Sequence, residues 1–284
     1  MTRIAACSLA LSFSTTVATD SFDHDTTSWF KGNTHTHSLW SDGNDFPEMI
    51  YAWYRERGYH FLGISDHNIL SEGEKWMDLA AIRKRQRAIV RDAVSKCLAR
   101  FGEDWIQWEE RGGKKGIVLK TLGECRAKLE KSGEFLLIPA EEVSNTAKSG
   151  PIHINALNPQ TLVPAIKDSS ATAREVIRDG LDLIEESAVE SGNPILAHLN
   201  HPNFQWAITA EDLAVVAECR YFEVYNGHPG INHLGDKARP GDEEIWDIAN
   251  TIRLAEMKSV QLLGVATDDA HTYHGGDVSP GRGW

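Results

Sequence analysis

From Trp29 onward, short apolar runs alternate with longer stretches whose apolar residues recur at helical spacing. Such alternation predicts βαβ units and a mainly parallel sheet. Seven runs read as strands: "WFKGNTHTH", "FLGISDHN", "FLLIPAEEVS", "PIHINALN", "PILAHLNHP", "YFEVYNG" and "LLGVATDDAH". Helices are expected at about 46–57, 73–100, 121–132, 172–191, 209–218 and 241–258. The stretch 172–191 sets Val176, Leu183, Ile184 and Ala188 on one stripe, with Glu185, Glu186 and Glu190 elsewhere, which places it outside the sheet. Gly192 just beyond it suits a C-cap.

One segment interrupts this rhythm. "WIQWEERGGKKGIVLKT" has two β-prone arms around Gly-Gly-Lys-Lys-Gly and reads as a hairpin. With the long helix before it, it forms a helix-hairpin insertion at about 73–134 rather than a second domain. Residues 29–284 therefore read as a single barrel domain. After His271 the chain runs only to "SPGRGW", so a further strand or helix is expected to close the barrel. Residues 1–20, with Arg3, an apolar stretch from Ile4 to Phe13 and small residues at 17–19, suit a short export signal or an unstructured lead-in. Export to the periplasm or exterior follows from the first reading, a cytoplasmic location from the second.

Length and composition narrow the rest. The 284 residues, 41% of them apolar, suffice for a core of one large domain. A formal charge of -12 opposes attraction to long nucleic acid but leaves a small phosphorylated molecule bound through metal ions. Cys7, Cys97, Cys125 and Cys219 have neither zinc-ribbon spacing nor the density of a disulfide scaffold, and read as core filling. No segment after the N-terminus has the roughly 20 apolar residues of a membrane span.

The candidate chemistry sits where the strand runs end. In αβ barrels, that rim is where active sites form. Strand side chains alternate, so His35 and His37 project to one face, and Asp269 and His271 repeat the spacing. Asp66 and His67, Glu141 and Glu142, His153, and His198 and His201 close or lie in the other runs. Alternation lets only one of Glu141 and Glu142 face the same side, without saying which. Imidazole and carboxylate are ligands for zinc, manganese and iron alike. With Asp42 included, nine candidate ligands exceed one ion and suit two or three.

The order "HTHSLWSDG", "ISDHN", "PAEEVS", a lone histidine in "IHI", "AHLNHP" and "TDDAH" resembles the PHP family, named for polymerase and histidinol phosphatase domains. The resemblance runs from about Trp29 to the end of the chain. It implies a distorted (β/α)7 TIM-like barrel carrying a trinuclear metal centre. One ion would take His35, His37, Glu142 and Asp269; a second Glu142, His153 and His198; a third Asp42, His67 and His271. Glu142 is chosen over Glu141 from the family's glycine-any-glutamate-valine pattern, from which "AEEV" departs by Ala140. The implied activity is hydrolysis of a phosphate ester by a metal-activated water, with no separate nucleophilic side chain. Asp66 is expected to orient His67 or a nearby ligand, and His201 and His228 to line the substrate pocket. His24, His60, His233 and His274 read as surface residues. Arg239, Lys237 and Arg282 sit in loops from which a cation could reach a phosphate, and the basic run Arg83–Arg91 could attract an anionic substrate, but all read first as solvated charges.

Three rivals stand beside the phosphoesterase. A nucleic-acid phosphodiesterase or exonuclease shares the resemblance but is disfavoured by the charge. An amidohydrolase-type binuclear hydrolase would need a carboxylated lysine on a strand, and no strand end offers a well-placed one. A non-catalytic metal-binding domain is disfavoured by the complete ligand set. Neither the Gly-x-Ser-x-Gly elbow nor a phosphate-cradling or dinucleotide glycine motif is present.

Overall fold

A computed structural model of the protein describes residues 28–86 and 92–283. The export-signal segment 1–20, Cys7, His24 and the last part of the 83–91 run lie outside the described residues. All seven expected strands form: β1 (Gly32–Asn33), β2 (Phe61–Ile64), β6 (Leu136–Ala147), β7 (Gly150–Leu157), β8 (Leu196–Leu199), β9 (Tyr221–Asn226) and β10 (Leu263–Thr267). They join in that order into one sheet. The sheet then closes on itself, because Thr36, beyond β1, bridges in parallel to Ala270, beyond β10. His37 N donates to the Ala270 carbonyl at 2.9 Å, and Asp269 N to the His35 carbonyl at 2.9 Å. The ring is a distorted seven-stranded α/β barrel. It closes through these bonds, without the further strand expected after His271.

Its distortion lies in β7. The sequence pattern suggests parallel crossovers, but β6 and β7 pair antiparallel, as do β7 and β8. The reason is the connection: a parallel crossover needs a dozen or more residues, and only Lys148 and Ser149 separate β6 from β7. Reversal brings the start of β7 to the rim where the other strands end. His153 therefore sits opposite Ser144, just past Glu142, although it lies near the start of its strand.

Helices cover the ring where the sequence places them: α1 (Pro47–Glu56), α4 (Leu122–Leu129), α5 (Ala173–Ser191), α6 (Ala210–Val215) and α7 (Asp242–Thr251), which runs into a π-turn at Ile252–Glu256. Thr121, Thr172 and Thr209 cap α4, α5 and α6 with reciprocal carboxylate bonds three residues on. Gly192 ends α5 in the left-handed conformation. The buried stripe of α5 is Val176, Ile177, Gly180 and Ile184, rotated from the expected one, with Leu183 and Ala188 half-buried.

The insertion is more elaborate than a helix and hairpin. Residues 73–100 hold a short strand β3 (Trp76–Asp78), then α2 (Leu79–Arg85) and α3 (Ala93–Phe101). The hairpin β4 (Gln107–Arg111) and β5 (Lys114–Val118) turns at Gly112 and Gly113, both with positive φ, and β3 adds to β5 as a third strand. Gly116 permits this, since a Cβ there would lie 2.4 Å from the Met77 carbonyl. Asp78 closes β3 and caps α2, so a strand and a cap replace the expected first helical turns. The insertion packs Met77, Ile82, Val94 and Ile117 on Leu39, Trp40 and Phe46, in the loop between β1 and α1.

The largest core lies between the second half of the sheet and α5, α6 and α7, with Phe222 fully buried in it. Phe222→Ala should lower stability by about 3–5 kcal/mol in urea denaturation; a loss below about 1 kcal/mol would mean that β9 is not packed this way.

Candidate metal centre

His35 and His37 are both fully buried on one side of the first strand segment, while Thr36 between them turns its hydroxyl to the Ala270 carbonyl. At the rim they meet Glu142 from β6 and Asp269 from the last segment. His35 Nε2 lies 3.3 Å from both Glu142 Oε1 and Asp269 Oδ1, and His37 Nε2 3.4 Å from Glu142 Oε2 and 3.2 Å from Asp269 Oδ1. Four sets of ligand atoms lie mutually within 4.8 Å: His37, Asp42, His67 and His271; His35, His37 and Glu142; His35, His201 and Asp269; and His67, Glu142 and His153.

Eight of the nine expected ligands thus converge, and His198 does not. Its Nε2 faces the Thr34 hydroxyl at 3.1 Å. His201 takes part instead, its Nε2 3.1 Å from Glu142 Oε1. β8 ends at Leu199, and the left-handed backbone at His201, φ 23°, swings that imidazole back over the rim. Glu142 and Glu141 point apart as alternation requires: Glu142 is in the cluster, and Glu141 accepts from Val163 N at 3.0 Å. Asp268 likewise turns away, accepting backbone bonds from Gly281, Arg282 and Gly283.

Asp66 orients a loop rather than His67. Its carboxylate accepts from Ser38 N at 2.8 Å, Ser41 N at 3.0 Å and the Ser38 hydroxyl at 2.6 Å. That loop returns Asp42 to His37, its Oδ1 3.6 Å from the ring Nδ1, and closes because Gly43 runs against the His37 carbonyl, where a Cβ would lie 2.3 Å away. Glu223 on β9 is the residue that the sequence pattern missed. Fully buried, it takes His35 Nδ1 at 2.6 Å, His201 N at 2.8 Å and the Thr267 hydroxyl at 2.7 Å. A lone charge inside the apolar run "YFEVYN" was its only sequence signal.

The cluster forms the floor of a cavity of about 760 Å³. His201 and His228 line it, as do Phe204, Ile231 and, from the basic run, Lys84 and Arg85. Arg85 is half-buried there, whereas Lys84 borders the cavity while staying exposed, as a solvated charge would be. Arg239 instead binds Asp236 and stacks on Trp206, and neither Lys237 nor Arg282 lines the cavity. His274 is not a surface residue either: its side chain is buried between Lys96 and the Asn44 carbonyl. Cys97, Cys125 and Cys219 are buried free thiols, as core filling requires.

Electrostatics sorts the candidate ligands. Burial alone would raise the Glu142 carboxyl, but His67, His35 and His153 hold it well below the usual range. Asp269 is held low in the same way, burial being outweighed by His35, His37 and His271. Burial, reinforced by His271 and His67, pushes His37 down to about 4, a neutral imidazole with a free lone pair. For Glu223 burial again opposes ionisation, yet His35 beside it brings the carboxyl to about 2.

Three solved structures illustrate what the fold is similar to. A two-domain protein of Bacteroides vulgatus containing a predicted PHP-like metal-dependent phosphoesterase aligns with 86% of this chain at 18% identity and a TM-score of 0.43; the chain spans about half (52%) of its length. A proposed metal-dependent phosphoesterase of Bifidobacterium adolescentis aligns over 88% of this chain and 90% of its own, at 13% identity and a TM-score of 0.43. PsfC of Pseudomonas syringae aligns over 85% and 76%, at 13% identity and a TM-score of 0.40. Two of the three bear the phosphoesterase description. No family model and no curated protein sequence matches the chain.

The two adjacent glutamates make a controlled pair. Glu142→Gln should lose bound divalent metal by elemental analysis while Glu141→Gln keeps the parent's content; equal content in both would place the shared carboxylate elsewhere. Glu141 adds a pH test, because burial raises its carboxyl from 4.5 to about 7 against the Val163 bond. A carboxyl raised in the folded state binds its proton more tightly there, so stability is undiminished below pH 4.5 and falls as pH climbs to 7. Glu141→Gln should match the parent near pH 4 and exceed it by up to about 3 kcal/mol at pH 8. Denaturation midpoints that stay parallel across that range would contradict this.

Proposed function

We propose that the protein is a metal-dependent phosphoesterase of the PHP kind, hydrolysing a small phosphorylated substrate at a centre of two or three divalent ions. One observation carries the reading. His35 Nε2, His37 Nε2 and Glu142 Oε2 are buried, lie in one group and have no hydrogen-bond partner among the described residues. Buried polar atoms rarely go unpartnered, and lone pairs of imidazole and carboxylate converging on one point suit a cation.

Ions held there would supply a water deprotonated near neutral pH and offset charge on phosphoryl oxygens. The chain's own residues set the stage for this. Glu223 accepts the His35 Nδ1 proton and so turns the Nε2 lone pair to the centre. Glu142 offers one oxygen toward His35, His153 and His201 and the other toward His37 and His67, the disposition of a bridging carboxylate. Asp42, half-exposed at the mouth, completes the group with His67 and His271. His228 Nδ1 accepts from Gly230 N at 3.0 Å, so its neutral ring carries the proton on Nε2. That ring lies 5.3 Å from His271 on the cavity wall, where the N–H can donate to a phosphoryl or leaving-group oxygen.

Against the amidohydrolase reading, none of the seven barrel strands contains a lysine. No helix among the described residues is long and apolar enough to cross a membrane.

Elemental analysis combined with a panel of phosphomonoesters, phosphodiesters and single-stranded oligonucleotides tests the reading. Monoesterase activity that disappears with a chelator and returns with zinc, manganese or iron is expected. Oligonucleotide cleavage without monoesterase activity would put the nuclease reading first, and protein free of transition metal and of both activities would reject the proposal. His228→Ala should lower kcat about 100-fold with metal content unchanged; an unchanged kcat would remove His228 from the reaction.

A further inference from the structure

The inserted segment turns one face of α2 toward the cavity. Ala81, Lys84 and Arg85 share that face at i, i+3 and i+4 spacing and line the cavity with Met77 of β3, while Ile82 points the other way into the insertion's core. Arg85 Nη1 bonds the Ser41 carbonyl, immediately before Asp42, which fixes its guanidinium at the edge of the ligand cluster. Lys84 has no hydrogen bond or ion pair among the described residues, although the chain carries 41 acidic side chains against 29 basic ones. Neither cation is ion-paired among the described residues, and Lys84 stands exposed at the cavity's edge, where an incoming anion can meet it. The cluster, loaded with ions, would engage one phosphate; the wall opposite offers positive charge to something else.

We propose that Lys84 and Arg85 form a second anion subsite, which selects substrates bearing another phosphate or carboxylate besides the one hydrolysed. Charged hydrogen bonds of this kind are among the strongest available to a binding site. Met77 and Ala81 on the same face give the linking carbons an apolar surface. The inference rests on the phosphoesterase reading for the first phosphate, but the subsite itself is a property of the insertion.

A matched pair of probes tests it: butyl phosphate and 1,4-butanediol bisphosphate, which differ only in the second anion. The parent should show a KM for the bisphosphate lower by about tenfold or more. Lys84→Met and Arg85→Met should erase most of that preference, and Lys84→Arg should keep it. Because Arg85 also holds the Ser41 carbonyl, Lys84→Met is the decisive variant, with its thermal midpoint compared to the parent's to confirm folding. No preference in the parent, or equal losses on both probes in Lys84→Met, would overturn the subsite. If the parent hydrolyses neither probe, the phosphoesterase reading is decided by the metal content and substrate panel above, and calorimetry with the bisphosphate decides the subsite alone. Binding weakened about tenfold by Lys84→Met would sustain it; binding that is absent from the parent, or unaffected by the variant, would end it.

Discussion

One buried carboxylate organises this molecule. Glu142 is fully buried, and five imidazoles, those of His35, His37, His67, His153 and His201, place a nitrogen within 3.4 Å of its oxygens. An unpaired charge so deep in a protein would be strongly destabilising. It is tolerable because those rings and the Asn200 amide, at 2.8 Å, surround it. The five rings come from four separate chain segments. Bringing them to one carboxylate requires the barrel to close, so ring closure and site assembly are one event.

The two irregular features of the fold serve that convergence. Reversal of β7 brings His153 to the rim from the opposite direction. Closure between Thr36 and Ala270 sets the histidine pair against Asp269. Strain accompanies both ends of the arrangement, since Asp269 and His201 hold positive φ of 46° and 23°. Such conformations are disfavoured by about 1–3 kcal/mol each and persist where surrounding structure enforces them. Asp269 is held by its N–H bond to the His35 carbonyl, and His201 by its N–H bond to Glu223.

How much of this the sequence discloses depends on range. The strands were legible because each is an apolar run with a polar end, and the helices because capping threonines and helical spacing coincide. Most residues of the candidate centre were legible because they cluster at those ends. What escaped depends on three-dimensional register. Two residues between β6 and β7 leave no room for a crossover, which spacing alone could have revealed. That His201 rather than His198 joins the cluster depends on the backbone turn after Leu199, and Glu223 acts on His35, 188 residues away. Lys84 and Arg85 looked solvated because their run is basic throughout, and only the docking of the insertion sets them at the border of the cavity.

The insertion also explains why the first ligand loop is so firmly built. Leu39 and Trp40, between His37 and Asp42, are buried in a core shared with Met77, Ile82 and Ile117, while Ser38 and Ser41 are bonded to Asp66 at the end of β2. One side of the loop is fixed by apolar packing and the other by a carboxylate, so Asp42 projects from a short rigid arch despite its exposure. Rigidity matters here because a ligand set imposes geometry on an ion only if its own side chains are already restrained. The same contacts fix α2 relative to that arch. Any anion recognised on the insertion is therefore held at a set distance from the cluster, and substrate length becomes a quantity that this fold can measure.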